Sequence, residues 1–82
     1  MKLPRDVGGE ELTGLLGRYG YRLTRQSGSH MRLTSSFKGK EHHLTIPRHK
    51  PLRIGTLNQI LKDLTSYLEV DRQALIKELF QG

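Results

Sequence analysis

The chain has 82 residues, no cysteine, and 14 lysines and arginines against 8 acidic residues, which gives a net charge of +6. This length supports one small domain with a thin core, so an active site is expected on an open surface rather than in a deep pocket. The lack of cysteine excludes disulfides, thiolate metal sites and cysteine catalysis, and no segment has the pattern of a signal peptide or a membrane span. We therefore expect one domain over residues 1–82, with a cytoplasmic location.

Residues 9–19 have the apolar periodicity of a helix. Glu10 and Glu11 lie in its first turn, where the helix dipole favours acids, and Gly20 follows as a candidate C′ residue. The apolar face comprises Leu12, Leu15, Leu16 and Tyr19.

Alternation of apolar and polar residues predicts three strands, over residues 21–25, 29–35 and 41–47, with turns at 26–28 and 36–40. Turns this short imply an antiparallel meander. One face is predicted to lie under the helices and collects Tyr21, Leu23, Met31, Leu33, Leu44 and Ile46. The other, outer face is polar and basic, and it collects Arg22, Thr24, His30, Arg32, Thr34, His43 and Thr45.

Two more helices are predicted after the sheet. Thr56 is a candidate N-cap for the first of them, with Gln59 at the capping-box position. Residues 67–70 are predicted to be a break, and Asp71 is expected to cap a short final helix. The residues expected to pack inward from that final helix are Ala74, Leu75, Leu79 and Phe80.

Positive charge is concentrated in the centre of the chain. Residues 18–53 hold nine lysines and arginines and one acid, Glu41, and so carry +8, while the two ends together carry −2. A localised basic surface favours a polyanionic partner such as nucleic acid. The alternative is that these charges only keep a small domain in solution. The nine residues are Arg18, Arg22, Arg25, Arg32, Lys38, Lys40, Arg48, Lys50 and Arg53.

The segment 25–30, with the sequence Arg-Gln-Ser-Gly-Ser-His, places His30 at the start of the second strand, between arginines. Histidine exchanges protons near neutral pH, so it can deprotonate a ribose 2′-hydroxyl or protonate a leaving 5′-oxygen. Nearby arginines can neutralise charge that builds on a phosphate. Spacing alone favours the alternative, a solvent-facing histidine that only hydrogen-bonds a neighbour. The turn at 27–29 can also offer backbone N–H groups to a phosphate.

Three further histidines lie at His42, His43 and His49. Adjacent strand residues point to opposite faces, so His42 and His43 cannot readily chelate one metal ion, and no metal site is expected. We expect His43 on the outer face near His30, with His49 in the loop after the third strand. Either could be a second acid or base, a phosphate contact or a plain surface residue. The candidate RNA contacts are Ser29, Arg22, Arg25, Arg32, Lys38, Lys40, Arg48, His43 and His49.

Three linked motifs resemble the HicA (YcfA-like) family of mRNA interferase toxins. They are Gly-Ser-His at 28–30, Ile-Pro-Arg-His at 46–49 and Gly-Thr-Leu-Asn-Gln-Ile-Leu at 55–61, in the same order and spacing. The resemblance covers residues 3–65, while residues 66–82 form a C-terminal helical extension beyond it.

The resemblance implies an α+β fold like that of double-stranded-RNA-binding domains, in which helices back a three-stranded antiparallel sheet. It implies a toxin that cleaves mRNA without a cofactor or metal and arrests translation, with His30 as the catalytic residue. The implied partners are mRNA and a HicB-type antitoxin that blocks the toxin.

Two other functions stay open on the sequence alone. One is a double-stranded-RNA-binding module without catalysis. The other is a structural partner whose basic face docks on an acidic protein.

Overall fold

A computed structural model describes residues 3–81, which form a three-stranded antiparallel sheet with helices on one side. The α+β architecture confirms the fold predicted from the sequence, including the extra C-terminal helix. In chain order the elements are α1 (Gly9–Leu15), a 3-10 helix (Leu16–Tyr19), β1 (Arg22–Ser27), β2 (His30–Ser35), β3 (His42–Pro47), α2 (Ile54–Leu68) and α3 (Arg72–Phe80).

The hydrophobic core lies between the inner face of the sheet and the helices. It takes buried apolar side chains from every element except β1, all six residues of which are exposed. The alternation predicts Leu23 in this core, but Leu23 is 49% exposed. Its register partner on the inner face, Leu33, is fully buried. Both β1 and β3 are at edges of the sheet, but the helices cover the inner face of β2 and β3 and leave β1 exposed.

The β1–β2 hairpin turns through two residues, Gly28 and Ser29. Ser27 pairs with His30, and Gly28 has φ of 57°. A positive φ at the first loop position is the type II′ pattern, which favours glycine and matches the twist of the strands. The predicted turn at 26–28 is therefore displaced, because a two-residue loop lets β1 continue to Ser27.

A β-bulge in β1 changes which of its residues face outward. Leu23 pairs with Leu33 and Arg25 pairs with Arg32, so Thr24 is the extra residue. Its Oγ1 lies 2.9 Å from Oγ1 of Thr34 on the outer face. The bulge thus leaves both Thr24 and Arg25 on the outer side of the sheet, whereas simple alternation places only Thr24 there.

The start of α1 packs directly on the end of β3. Gly9 is buried, and a Cβ on it would lie 1.9 Å from the carbonyl oxygen of Pro47. The Gly9 amide also donates a hydrogen bond to the carbonyl of His49, at 2.9 Å. Only glycine allows this approach, which fixes the loop after β3 against the helix.

The first predicted helix ends as a 3-10 turn, and Gly20 follows with φ of 79° as the expected left-handed C′ residue. The next helix departs from the prediction at both ends. It begins at Ile54 with Arg53 as N-cap, so Thr56 lies inside the first turn and caps nothing. The Gln59 side chain instead donates to Asp63, one turn later, at 3.2 Å. At its far end, α2 continues through Leu68, beyond the start of the predicted break.

Asp71 caps α3 as predicted, since its side chain accepts a hydrogen bond from the Ala74 amide at 3.1 Å. The residues that α3 buries differ from the predicted set, since Ile76 is buried and Ala74 is exposed. A contact with Glu78 joins α3 to the 3-10 helix, where the hydroxyl of Tyr19 donates to the Glu78 carboxylate. Burial, together with this hydrogen bond, raises the pKa of Tyr19 to about 12.

Candidate active site

The outer face of the sheet consists of three cross-strand rows, which the register defines. Paired residues lie side by side on the same face of a sheet, so each row is one residue from each strand. All of them are at least partly exposed except Thr34, which is 7% exposed. The first row is Ser27, His30 and Pro47; the second is Arg25, Arg32 and Thr45; the third is Arg22, Thr34 and His43.

His30 is the first residue of β2 and lies directly after the hairpin loop. Its side chain is exposed, and it makes no side-chain hydrogen bond to another residue in the range 3–81. Arg32 lies two residues along the strand, about 7 Å away at the usual rise, and Arg25 is opposite Arg32. The accessible imidazole of the first row therefore has two guanidinium groups in the neighbouring row. Arg22 is in the third row, one step further away.

The structure places His43 on the outer face but not beside His30. His43 pairs with Thr34, which is four residues along β2 from His30, a separation of about 13 Å. Its Nδ1 lies 2.9 Å from Oγ1 of Thr34, and its Nε2 lies 3.7 Å from the carboxylate of Glu41. The expected proximity of the two histidines is thus wrong, because the pairing register separates them by two rows.

The loop after β3 lies beside the hairpin that carries His30. The Arg48 amide donates to the carbonyl of Ser29 at 2.7 Å, which continues the β2–β3 ladder by one position. The Arg48 guanidinium turns towards α1 and lies 2.9 Å from the carboxylate of Glu10. Both side chains of this ion pair are substantially exposed, so it contributes little to stability. The backbone of Ser29 and Arg48 therefore lies beside one end of the first row, while the Arg48 side chain points to α1.

Lys38 and Lys40 lie in the β2–β3 loop, at the opposite end of the sheet from His30. The hydroxyl of Tyr67 holds this loop: it accepts from the Lys38 amide at 3.0 Å and donates to the Lys40 carbonyl. The two lysines line an open cleft of about 370 Å³ that also has acidic groups, from Asp63 and Glu69. The structure does not bring these lysines to His30.

His42 forms a cluster on the inner side of the sheet that the sequence pattern does not reveal. Its ring stacks on Tyr67, with centroids 4.5 Å apart and planes 10° apart, and its Nδ1 lies 2.7 Å from the hydroxyl of Tyr21. Burial lowers the pKa of His42, although the charge of Asp63 partly opposes the shift. Burial also raises the pKa of Tyr21. The neutral ring therefore serves here as a packing and hydrogen-bonding group.

Within residues 3–81, no three side chains of the usual acidic or histidine ligands come together to hold a metal ion. In the same part of the chain, no helix has both the length and the apolar character needed to cross a membrane.

Comparison with known proteins identifies the family. Neither the search of curated proteins nor the search of solved structures found a match. Residues 9–65 match the family model described as the HicA toxin of bacterial toxin–antitoxin systems. The match extends from the start of α1 into α2 and includes the whole sheet, whereas α3 lies outside it. Membership implies a cognate antitoxin as partner. Because the match covers well over half of its residues, the chain belongs to the HicA family of toxins from bacterial toxin–antitoxin systems.

Proposed function

We propose that this toxin is a metal-independent endoribonuclease that cleaves mRNA and so arrests translation, with His30 as a general acid or base. The observation that carries the proposal is the position of His30. It is exposed at the start of the central strand, at one end of the outer face, and the neighbouring row holds Arg25 and Arg32. An accessible proton-transfer group next to two phosphate-binding cations has the composition that phosphodiester cleavage requires.

The chemistry uses the ribose of the RNA itself as the nucleophile. A base removes the proton of the 2′-hydroxyl, and the 2′-oxygen forms a bond to phosphorus as the bond from phosphorus to the 5′-oxygen breaks. An acid gives a proton to the departing 5′-oxygen. The products are a 2′,3′-cyclic phosphate and a free 5′-hydroxyl. A positioned histidine that supplies one of these transfers contributes about 10²- to 10⁴-fold in rate.

The arginines fit the charge that this reaction builds. Negative charge accumulates on the phosphoryl oxygens in the transition state, and guanidinium groups can pair with them through two parallel hydrogen bonds. The outer-face rows contain no Phe, Tyr or Trp side chain on which an unpaired base could stack. Affinity is therefore expected to come from phosphate contacts, to depend on salt and to be tolerant of sequence.

The same basic face offers a simple way to inhibit the toxin. A partner that places acidic groups against Arg25 and Arg32 would compete with the RNA backbone for the same cations. We propose a HicB-type antitoxin in this role, since the family implies a cognate antitoxin.

Inducible expression of the wild-type protein beside His30→Ala tests the toxin function in cells. We expect the wild type to arrest growth and deplete total mRNA, and the variant to do neither while accumulating to the same level. His43→Ala removes the same side chain from the far end of the same face and is the matched control. It should retain the ability to deplete mRNA. Normal growth with the wild-type protein, or toxicity unchanged in His30→Ala, would contradict the proposal.

The basic outer face also suits a double-stranded-RNA-binding module without catalysis. That function predicts salt-dependent retention of RNA that His30→Ala leaves unchanged, with no cleavage products from the wild-type protein.

A further inference from the structure

Cleavage by the proposed route needs two proton transfers, and one histidine supplies only one of them. The second group has to titrate near neutral pH and lie within reach of the same phosphate as His30. Two of the other three histidines fail this requirement. His42 is on the inner side of the sheet, stacked on Tyr67, and His43 is about 13 Å from His30. His49 is the remaining histidine.

The pairing register predicts that His49 lies close to His30. His30 pairs with Pro47, and the hydrogen bond from the Arg48 amide to the Ser29 carbonyl, at 2.7 Å, shows that the ladder continues past this pair. His49 is then two residues beyond the partner of His30. With ordinary strand spacing and rise, the Cα atoms of the two histidines are about 8 Å apart. Two imidazoles at that distance can lie on either side of one phosphodiester.

Side-chain direction along this stretch also favours His49. Pro47 shares the outer face with His30, and Arg48 turns the other way to meet Glu10 on α1. Continued alternation beyond the last residue of β3, Pro47, predicts the His49 side chain on the side of His30. The His49 side chain is exposed and makes no side-chain hydrogen bond to any residue in the range 3–81, so it is available to a substrate.

Several contacts fix the backbone that carries His49. The Gly9 amide donates to the His49 carbonyl at 2.9 Å, and the Leu52 amide donates to the Val7 carbonyl at 2.8 Å. The close packing of Gly9 on the Pro47 carbonyl holds the loop at its other end. A catalytic side chain needs such a fixed base, because small errors in position cost large factors in rate.

Charged residues of both signs lie in the loop of His49 and on the neighbouring α1. A recess of about 140 Å³ between α1 and the loop after β3 is lined by residues of both segments, His49 among them. The acidic pair is Glu10 and Glu11, and the basic pair is Arg48 and Lys50. The Glu10 carboxylate is already paired with Arg48, so it is a weaker candidate for proton transfer than His49.

We propose that His49 is the second proton-transfer group of the cleavage, acting across the scissile phosphate from His30. This inference rests on the proposed function. One imidazole is neutral and takes the proton of the 2′-hydroxyl, while the other is protonated and gives its proton to the 5′-oxygen. Each ends the step in the protonation state in which the other began, and exchange with water restores both.

The test is the pH dependence of cleavage by purified wild type, His49→Gln and His43→Gln, with a short labelled RNA in EDTA. We expect a bell-shaped profile of kcat for the wild type. His49→Gln should lose one limb of the bell and about 10²- to 10⁴-fold in kcat, with a much smaller change in KM. His43→Gln, the same substitution two rows away, should keep both limbs of the pH profile, and any loss of a phosphate contact there would change KM only. Thermal unfolding of the variants checks that they are folded.

A His49 that only binds phosphate would give a different result, namely a raised KM with kcat and both limbs of the profile retained, and this would overturn the inference. Loss of a limb in Glu10→Gln instead of His49→Gln would assign the second transfer to the carboxylate and would also overturn it. Failure of the proposed function is distinguishable from both, because the wild-type protein would then cleave no RNA at all.

Discussion

Replacing Gly9 with alanine tests how the start of α1 positions the candidate site. A methyl group at this position would lie 1.9 Å from the carbonyl oxygen of Pro47 and 3.0 Å from its carbonyl carbon. Since contacts of a Cβ below 3.0 Å essentially do not occur, and the obstructing atom belongs to the backbone, α1 and the end of β3 have to move apart by about 1 Å.

The destabilisation expected at position 9 can be compared with the stabilisation expected from the same substitution at an open position of the same helix. Overpacking a tightly packed site typically costs about 1–3 kcal/mol, which exceeds the roughly 1 kcal/mol or less by which alanine improves on glycine in a helix. Gly14, in the same helix, has open space around its Cα, and a methyl group there would meet nothing within 4 Å. Gly14→Ala is therefore expected to raise the free energy of unfolding by about 0.5–1 kcal/mol, while Gly9→Ala lowers it.

Thermal unfolding of the two variants beside the wild type measures this difference. For a domain of this size, each kcal/mol moves the midpoint by about 4–8 °C, so the two variants should fall on opposite sides of the wild type. Gly9→Ala should also lose cleavage activity, because Pro47 is the cross-strand partner of His30. A Gly9→Ala protein that melts at or above the wild-type temperature would refute the reasoning.

Three further predictions follow from other contacts. Asp71→Ala removes the N-cap bond to the Ala74 amide and should cost about 0.5–2 kcal/mol in urea unfolding, an effect that Asp71→Ser should largely avoid; equal loss in both variants would count against capping. The folded state disfavours the protonated form of His42, so the free energy of unfolding should be at its full value above about pH 6.5 and should fall as the pH drops below it. In unfolding measured from pH 5 to 8, His42→Phe should flatten this dependence. An unchanged slope would show that other groups cause it. Arg25→Gln and Arg32→Gln should each weaken RNA binding and reduce the slope of log affinity against log salt by about 0.7–0.9, and an unchanged slope would mean that the residue contacts no phosphate.

Much of the fold follows from local patterns, and the misses have physical reasons. The alternation in β2 and β3 and the periodicity of α1 identified side chains that are buried in the structure. Leu23 has the same alternation but lies on β1, which the helices do not cover, and coverage by helices is a tertiary property that a strand pattern does not encode. Thr56 is a good N-cap residue, yet the Leu57 amide donates to the Arg53 carbonyl at 2.9 Å, so α2 begins at Ile54 and Thr56 lies within its first turn.

The sequence predicted the face on which His30 and His43 lie, but not which residues are neighbours on that face. Alternation placed His30 on the outer face, and the structure agrees. The position of His43 depended on the pairing register, since a strand pattern gives the face of a residue but not its row. The stacking of His42 on Tyr67 was missed because the two residues are distant in sequence, and only the packing of α2 brings them together.

The most direct test of the central claim is cleavage of a defined, labelled RNA in EDTA by the purified wild-type protein and by His30→Ala. We predict that the wild type produces fragments ending in a 2′,3′-cyclic phosphate and a 5′-hydroxyl. His30→Ala should lose about 10²- to 10⁴-fold of this activity while it unfolds at the wild-type temperature. Undiminished cleavage by a folded His30→Ala protein, or wild-type products with other end groups, would contradict the claim.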